Sequence, residues 1–447
     1  MKVQYIASAC VVLEHEGIRV LCDPWLTEGI FFGSWYHYPP LSFAAEDFNS
    51  VDYIYVSHIH HDHMDPATME RLSKEIPVLI HDYEDKFLLR YLQKTGFKTV
   101  HEIGQGSAFA LGDDFKIEII AGDNCDPAIC QRYFGCGVPQ PYSKTLQIDS
   151  LAVFQGDGKT VVNSNDCPYD LALSACLDLK KRFGSIDFLL VGYSSGSAYP
   201  HCFENLNREE QNKASQMVCD KMFGQAMGFI NMLKPKHFLP FAGQYTLGGK
   251  NAALNQTKAL REMEELPEIF ETLLRENKSS AELVLLNQGE SFDIDSGKAS
   301  SPFAPPNPED RRLFIDEVLA GLPFPYETEP PTDAAELEPL IQQGYKRMLT
   351  HQQRHNNYRS DWSVYLDLAE NAELFAIPFD ESGVGRTPRG REKAPFLRIK
   401  VDARLMKMIL QRRAHWNNVE LGCHFRFHRQ PDTYERAIHW LLCYLHV

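Results

Sequence analysis

Hydrophobic and polar positions form short blocks through the first half of the chain, a pattern of strands broken by turns rather than of long helices. Residues 3–13 (VQYIASACVVL) predict a strand, His15-Glu16-Gly17 a turn and 18–22 (IRVLC) the returning strand, which leaves through Asp23-Pro24-Trp25-Leu26. The β-branched and aromatic run 51–57 (VDYIYVS) predicts a buried strand. Asp65-Pro66 predicts a helix start, with Asp as N-cap and Pro at the first helical position. Further strands are expected at 77–80, 115–121, 146–154, 160–164, 187–192 and 237–242, and helices at 83–94, 171–183 and 207–233. Helices alternating with β-rich runs predict an α/β fold, two sheets sandwiched between helical layers.

The pattern breaks near residue 300. Two Pro-rich stretches, 302–308 (PFAPPNP) and 323–331 (PFPYETEPP), mark irregular or linking chain. This divides the sequence into a domain at 1–300, a Pro-rich linker at 301–332 and an accessory region at 333–447. The last part has helical patterns, a strand at 396–401 and a final helix expected from Asp432 as its cap. Alternation of His424, Arg426 and His428 places them on one face of a strand. A half-exposed strand packed on the main domain is the preferred reading of that stretch over a basic ligand surface.

A length of 447 residues suits two or three domains, and 44% hydrophobic with 23% charged residues suits an ordinary globular protein. The net charge of −15 argues against broad nucleic-acid binding, which needs clustered Lys and Arg. No apolar run approaches the ~20 residues of a membrane span. The apolar stretch Ile6 to Leu13 is followed at once by Glu14 and Glu16, so no signal peptide is expected. Eleven scattered Cys predict reduced thiols and a cytoplasmic location. Cys125, Cys130, Cys136 and Cys167 match no cluster spacing and are expected to be incidental thiols.

The densest chemistry is Ser57-His58-Ile59-His60-His61-Asp62-His63, the pattern H-x-H-x-D-H directly after a predicted strand. His58 and His60 are two apart, so an extended strand end projects both to one side. Asp62 and His63 follow from the start of the next element. Imidazoles with a carboxylate suit zinc, iron or manganese. His61 occupies an x position and is expected to point away. Asp166, in Val162-Asn163-Ser164-Asn165-Asp166-Cys167, ends another predicted strand.

The motif resembles that of the metallo-β-lactamase superfamily. The resemblance implies a four-layer αββα sandwich, one metal held by His58 and His60, a second by Asp62 and His63, and Asp166 bridging them. Asp23-Pro24-Trp25-Leu26, Asn165-Asp166-Cys167, the segment Tyr193 to Pro200, the segment Leu239 to Tyr245, and Arg426 to Asp432 are similar in order to the catalytic module of CMP-N-acetylneuraminate hydroxylases. The paired Cys-x-His and Cys-x-x-His ligands of those enzymes' Rieske domain are absent as a pair. Where the superfamily supplies a further His, the strand exit reads Gly122-Asp123-Asn124-Cys125-Asp126-Pro127, and Asp126, or failing it Asp123, is the expected replacement. Another His is missing at Phe241-Ala242-Gly243-Gln244, for which His201 and His237 are spare candidates.

One or two divalent ions are therefore expected. Metal-activated hydroxide would attack an ester, amide or phosphodiester of a sugar- or nucleotide-linked small molecule, with Asp62 orienting it or taking its proton. Tyr193, Ser195 and Tyr199, with Gln244, could contact a sugar or phosphate, or their segment is a flexible turn. Lys250 follows two glycines, but the stretch lacks P-loop spacing. Hydrolysis is expected ahead of two alternatives. One is a non-heme iron monooxygenase drawing electrons from a separate protein partner. The other is a binding protein that has kept the fold without activity.

Overall fold

In the computed structural model, which describes residues 1–122, 149–355, 360–368 and 373–447, two sheets face each other across an apolar core. The first has eight strands. In spatial order they are Lys298–Ala299, Ser291–Asp293, Lys2–Ala7, Cys10–His15, Ile18–Cys22, Tyr53–Tyr55, Val78–His81 and Val100–Ile103. The second runs Glu282–Leu283, His237–Phe241, Phe188–Gly192, Lys159–Asn163, Ser150–Gly156, Lys116–Ala121 and Ala108–Ala110. Val11, Val20 and Tyr55 from the first sheet share a core with Ile117, Phe154, Phe188 and Leu239 from the second.

Each sheet is apolar on its other face too, and helices cover it. Met69, Leu88 and Leu92, from the helices Pro66–Arg71 and Phe87–Thr95, pack on Ile6, Val12, Leu21 and Ile54. Helices Tyr169–Phe183, Arg208–Leu233 and Leu266–Glu276 bury Leu179, Ile230 and Phe270 on the second sheet's outer side. The layers are αββα, as the sequence predicts.

Three expectations need correction. The run 3–13 is a hairpin, not one strand: Lys2–Ala7 and Cys10–His15 pair antiparallel through Ala7 and Cys10, and Ser8 turns with φ 48°. Strands covered on both faces read as a continuous apolar run, which hides a short turn between them. The last helix is Arg436–Leu442, and Asp432 does not cap it. The Asp432 carboxylate instead accepts from Arg429 Nε at 2.6 Å. Asp65 does cap its helix, accepting from Ala67 N and Thr68 N.

In the segment 301–332, Asn307 caps a short helix, Pro308–Leu313, and Phe324 and Tyr326 are buried. Beyond it the chain forms a five-stranded sheet of Gly385–Pro388, Glu373–Pro378, Ser363–Asp367, Phe396–Lys400 and Arg426–Gln430. Its core residues, among them Leu397, Trp416, Phe425 and Leu441, are continuous with Trp25, Phe31, Trp35 and Tyr245 from the first 300 residues. His424 lies before the strand rather than on its face. It is buried, with Nε2 on the Phe31 carbonyl at 2.8 Å and Nδ1 3.2 Å from the Tyr326 hydroxyl. Among the described residues no helix is long and apolar enough to cross a membrane.

Parallel pairing fixes where the site lies. Ile18–Cys22 runs parallel to Tyr53–Tyr55, and Lys159–Asn163, Phe188–Gly192 and His237–Phe241 run parallel to one another. In each sheet the exits of its parallel strands therefore share one edge. Those exits deliver Asp23 and His58 from the first sheet, and Asp166, Tyr193 and Gln244 from the second.

Candidate metal centre

The chain leaves the strand Tyr53–Tyr55 at Ser57, which begins a network of buried hydrogen bonds. Ser57 donates through its backbone N to Asp23 Oδ1 and through Oγ to Asp23 Oδ2, both at 2.7 Å. Asp23 Oδ2 also lies 2.8 Å from His63 Nδ1. A carboxylate only accepts, so His63 carries its proton on Nδ1 and directs Nε2 the other way. Ser57 Oγ has given its one proton to Asp23, so it accepts from His58 Nδ1 at 2.9 Å. That frees the lone pair of His58 Nε2.

His60 is fixed from the far end of the chain. Its Nε2 donates to Asn417 Oδ1 at 2.8 Å, leaving Nδ1 as the acceptor nitrogen. His58 Nε2 and His60 Nδ1 are 2.9 Å apart. With Asn417 presenting its amide oxygen to His60, two lone pairs face each other, an arrangement that a cation stabilises. His63 Nε2 is buried with no hydrogen-bond partner, 3.1 Å from Asp166 Oδ1 and 3.8 Å from Asp62 Oδ2. Donor atoms of His58, His63 and Asp166 lie within 4.8 Å of one another. This donor set fits a divalent metal ion.

Asp166 arrives from the neighbouring sheet on a left-handed turn. Asn165 has φ 47°, and its buried side chain donates to Tyr55 Oη at 2.9 Å and the Ser150 carbonyl at 2.8 Å. Asp23 is left-handed too, at φ 46°. Such strained backbone at two strand exits aims the following side chains inward. The Asp166 side chain keeps 41% exposure, so the group opens to solvent on that side.

The electrostatics follow from burial and from this crowding. Burial drives His58 well below the usual imidazole range, helped by His63 and His60. It brings His60 and His61 each down to about 4. His63 is driven the other way: burial opposes its charge, but Asp166, Asp23 and Asp62 raise it well above the usual value. Burial pushes the Asp62 carboxyl up to about 6, with His63 resisting. Partial desolvation opposes the Asp166 charge, yet His63, His58 and His60 hold it well below the carboxylate range. Neutral His58 and His60 are in the form that ligates metal.

The other expected residues lie elsewhere. Asp126 and its alternative Asp123 fall outside the described residues, as do Cys125, Cys130 and Cys136. His61 turns away as expected, stacking on Phe31 at 5.2 Å and meeting Asn418 Nδ2 at 3.0 Å. Tyr193 is buried, and Gln244 bonds its hydroxyl; both reach the Arg261 carbonyl. Ser195 Oγ closes a local turn onto Ser197 N at 3.3 Å, and Tyr199 lies under the Arg429 guanidinium. Lys250 pairs with Glu327. His237 is not at this edge: it begins its strand, 3.4 Å from Glu282. His201 sits instead with Cys202 and Cys423. At the turn after Phe241, a Cβ on Gly243 would stand 1.7 Å from Ser194 Oγ at φ 130°, so Gly243→Ala is expected to lower the melting temperature measurably.

Asp23, Ser57 and Asn417 were not expected from the sequence. Asn417 is the second residue of the helix Trp416–Leu421. Replacing it with Ala is expected to weaken metal binding about tenfold, the low end for a residue that orients a ligand. Chelator competition measures this, and unchanged affinity would remove Asn417 from the site.

Residues 2–126 match a family model described as beta-lactamase superfamily domain. A Mycolicibacterium smegmatis protein carrying the name of a Rieske 2Fe-2S iron-sulfur protein is 31% identical over 207 residues, 46% of this chain and 36% of its own length. The cytidine monophosphate-N-acetylneuraminic acid hydroxylase of Danio rerio is 25% identical over 253 residues, 54% of this chain and 38% of the relative. The chain thus spans well under half the length of these two curated relatives. Among solved structures, isothiocyanate hydrolase from Delia radicum gut bacteria aligns at TM-score 0.42 and 16% identity, covering 66% of this chain and 99% of that one.

Proposed function

We propose that this chain, which carries a metallo-β-lactamase-superfamily domain in its N-terminal part, is a metal-dependent hydrolase. Its substrate would be an ester, amide or phosphodiester linked to a sugar or nucleotide. The observation that carries the reading is the opposed pair His58 Nε2 and His60 Nδ1, 2.9 Å apart with both outer nitrogens already bonded. His58, His60, His63 and Asp166, with Asp62 beside them, would hold one or two divalent ions, zinc or iron, with manganese also suited. A divalent ion there lowers the pKa of water from about 15.7 toward 7 and polarises a carbonyl or phosphoryl oxygen.

The chain's own residues have distinct tasks. Asp62, the least acidic carboxylate of the group, orients the attacking water and accepts its proton. Asp23 holds His63 in one tautomer and one orientation. Asp166 lies on the open side, where a substrate enters. The substrate class draws support from the relatives named for hydroxylating a nucleotide sugar. The eight described cysteines, none in a disulfide, suit a reducing compartment such as the cytoplasm.

The same sequence similarity favours a second reading, a non-heme iron monooxygenase acting on a nucleotide sugar with electrons from a separate partner. One experiment separates the two. Wild-type protein from cells replete in iron and zinc is assayed for bound metal beside Asp166→Ala, then offered a panel of esters, amides and phosphodiesters. Wild type is expected to carry one or two equivalents and cleave part of the panel without consuming dioxygen, and Asp166→Ala to lose at least one equivalent. Iron with a near-ultraviolet charge-transfer band and reductant-dependent dioxygen uptake would establish the monooxygenase. Metal-free protein that gains no thermal stability from added metal would overturn both in favour of a binding role.

A further inference from the structure

His201, a spare metal-ligand candidate in the sequence, has no place at the His58 group. It lies instead between two cysteines from distant parts of the chain. His201 Nε2 is 3.2 Å from Cys423 Sγ, and the donor atoms of His201, Cys202 and Cys423 fall within 4.8 Å of one another. All three are buried, at 3%, 1% and 1% exposure. His201 Nδ1 has no hydrogen-bond partner. Arg426 supplies a positive charge at the rim: Nη1 is 4.0 Å from Cys202 Sγ and donates to the Cys423 carbonyl at 2.7 Å.

We propose that His201, Cys202 and Cys423 form a second, structural metal site for a thiolate-preferring d10 cation, zinc or copper(I). Two sulfurs and one imidazole are a soft donor set, unlike the nitrogen and oxygen donors around His58. Burial brings His201 down to about 3, so its ring is neutral and free to ligate. Binding replaces the two thiol protons by the cation and releases them to solvent, with no change of oxidation state. Arg426 offsets the charge of the two thiolates.

The position gives such a site a task. Cys202 lies where the loop after Tyr199 meets the last strand of the C-terminal sheet: Phe427 N donates to the Cys202 carbonyl at 2.8 Å, and Glu204 N to the Phe427 carbonyl at 2.7 Å. Cys423 follows the helix Trp416–Leu421 by two residues, and the start of that helix supplies Asn417 to His60 and Asn418 to His61. A cation joining Cys202 to Cys423 would therefore clamp the element that orients His60.

The test uses the full chain, reduced and stripped of metal. Cobalt(II) is added to wild type, Asp166→Ala and Cys423→Ser. Wild type and Asp166→Ala are expected to develop a thiolate-to-cobalt charge-transfer band, and Cys423→Ser to lack it. Zinc should then raise the melting temperature of Asp166→Ala but not of Cys423→Ser. Wild type should retain one more equivalent of zinc, or of copper(I) against a colorimetric chelator, than Cys423→Ser does; the metal retained identifies the cation. If Cys423→Ser does not fold, His201→Gln replaces it, with the same loss expected. No band in wild type, a band undiminished in Cys423→Ser or in the His201→Gln protein that replaces it, or a Cys202–Cys423 disulfide recovered in place of bound metal overturns the proposal. Because Asp166→Ala is expected to keep this band, failure at the His58 group leaves the result readable.

Discussion

Trp35→Ala is expected to lower the free energy of unfolding by about 3–5 kcal/mol, as for other fully buried Trp or Phe truncations. Trp35 is 2% exposed and stacks on Tyr245 with ring centres 3.6 Å apart and planes within 4°. Phe31 meets its edge at 4.9 Å, and its Nε1 donates to the Leu421 carbonyl at 3.0 Å. The indole thus joins the part of the chain that carries the two facing sheets to the helix that bears Asn417. Removing it opens a cavity and leaves a buried carbonyl without its donor. Against a typical stability of about 5–15 kcal/mol the loss is severe. Trp35→Phe keeps most of the stacking and should lose much less. Denaturant titration measures both. A loss under about 1 kcal/mol for the Ala variant would show that the two halves do not depend on this contact.

The sequence made the centre of the site legible and its supports invisible, for a physical reason. His58, His60, Asp62 and His63 lie within six residues at a strand end, so local geometry alone brings them together. Asp166 is one acid at one strand exit, and only the resemblance distinguished it from an ordinary turn residue. Asp23 has the same local character and drew no assignment. Its role comes from parallel pairing of Ile18–Cys22 with Tyr53–Tyr55, which sets it beside Ser57. Asn417 stands 357 residues from His60, and no periodicity connects a helix-start amide to a distant imidazole. Tyr193 and Gln244 reached the expected edge, yet each found its partner in the other. The fold was legible where strands alternate with helices. At 3–13 burial on both faces erases the alternation that would reveal Ser8 as a turn.

Asp23→Asn is expected to weaken metal binding by about 10–100-fold while the protein still folds, and Asp23→Ala to destabilise it as well, by about 1–3 kcal/mol. Asp23 is completely buried and accepts from Ser57 N, Ser57 Oγ and His63 Nδ1 at 2.7, 2.7 and 2.8 Å. Asn has one acceptor oxygen where the carboxylate has two, and its amide nitrogen must face one of these donors. With the nitrogen in the place of Oδ2 it faces both Ser57 Oγ and His63 Nδ1: the His63 proton moves to Nε2, the atom directed at Asp166, and the Ser57 hydroxyl turns toward His58 Nδ1, which moves that ring's proton to Nε2 as well. With the nitrogen in the place of Oδ1 it meets the Ser57 backbone N–H, and that hydrogen bond is lost. The first orientation blocks two ligand nitrogens without touching either, and the second loosens the turn that carries them. Ala leaves three donors without an acceptor, so the metal-free protein is weakened too. Chelator competition on both variants, with denaturant titration of the stripped proteins, separates the two effects. Asp23→Asn binding metal within twofold of wild type would show that the tautomers of His58 and His63 are not set by this carboxylate.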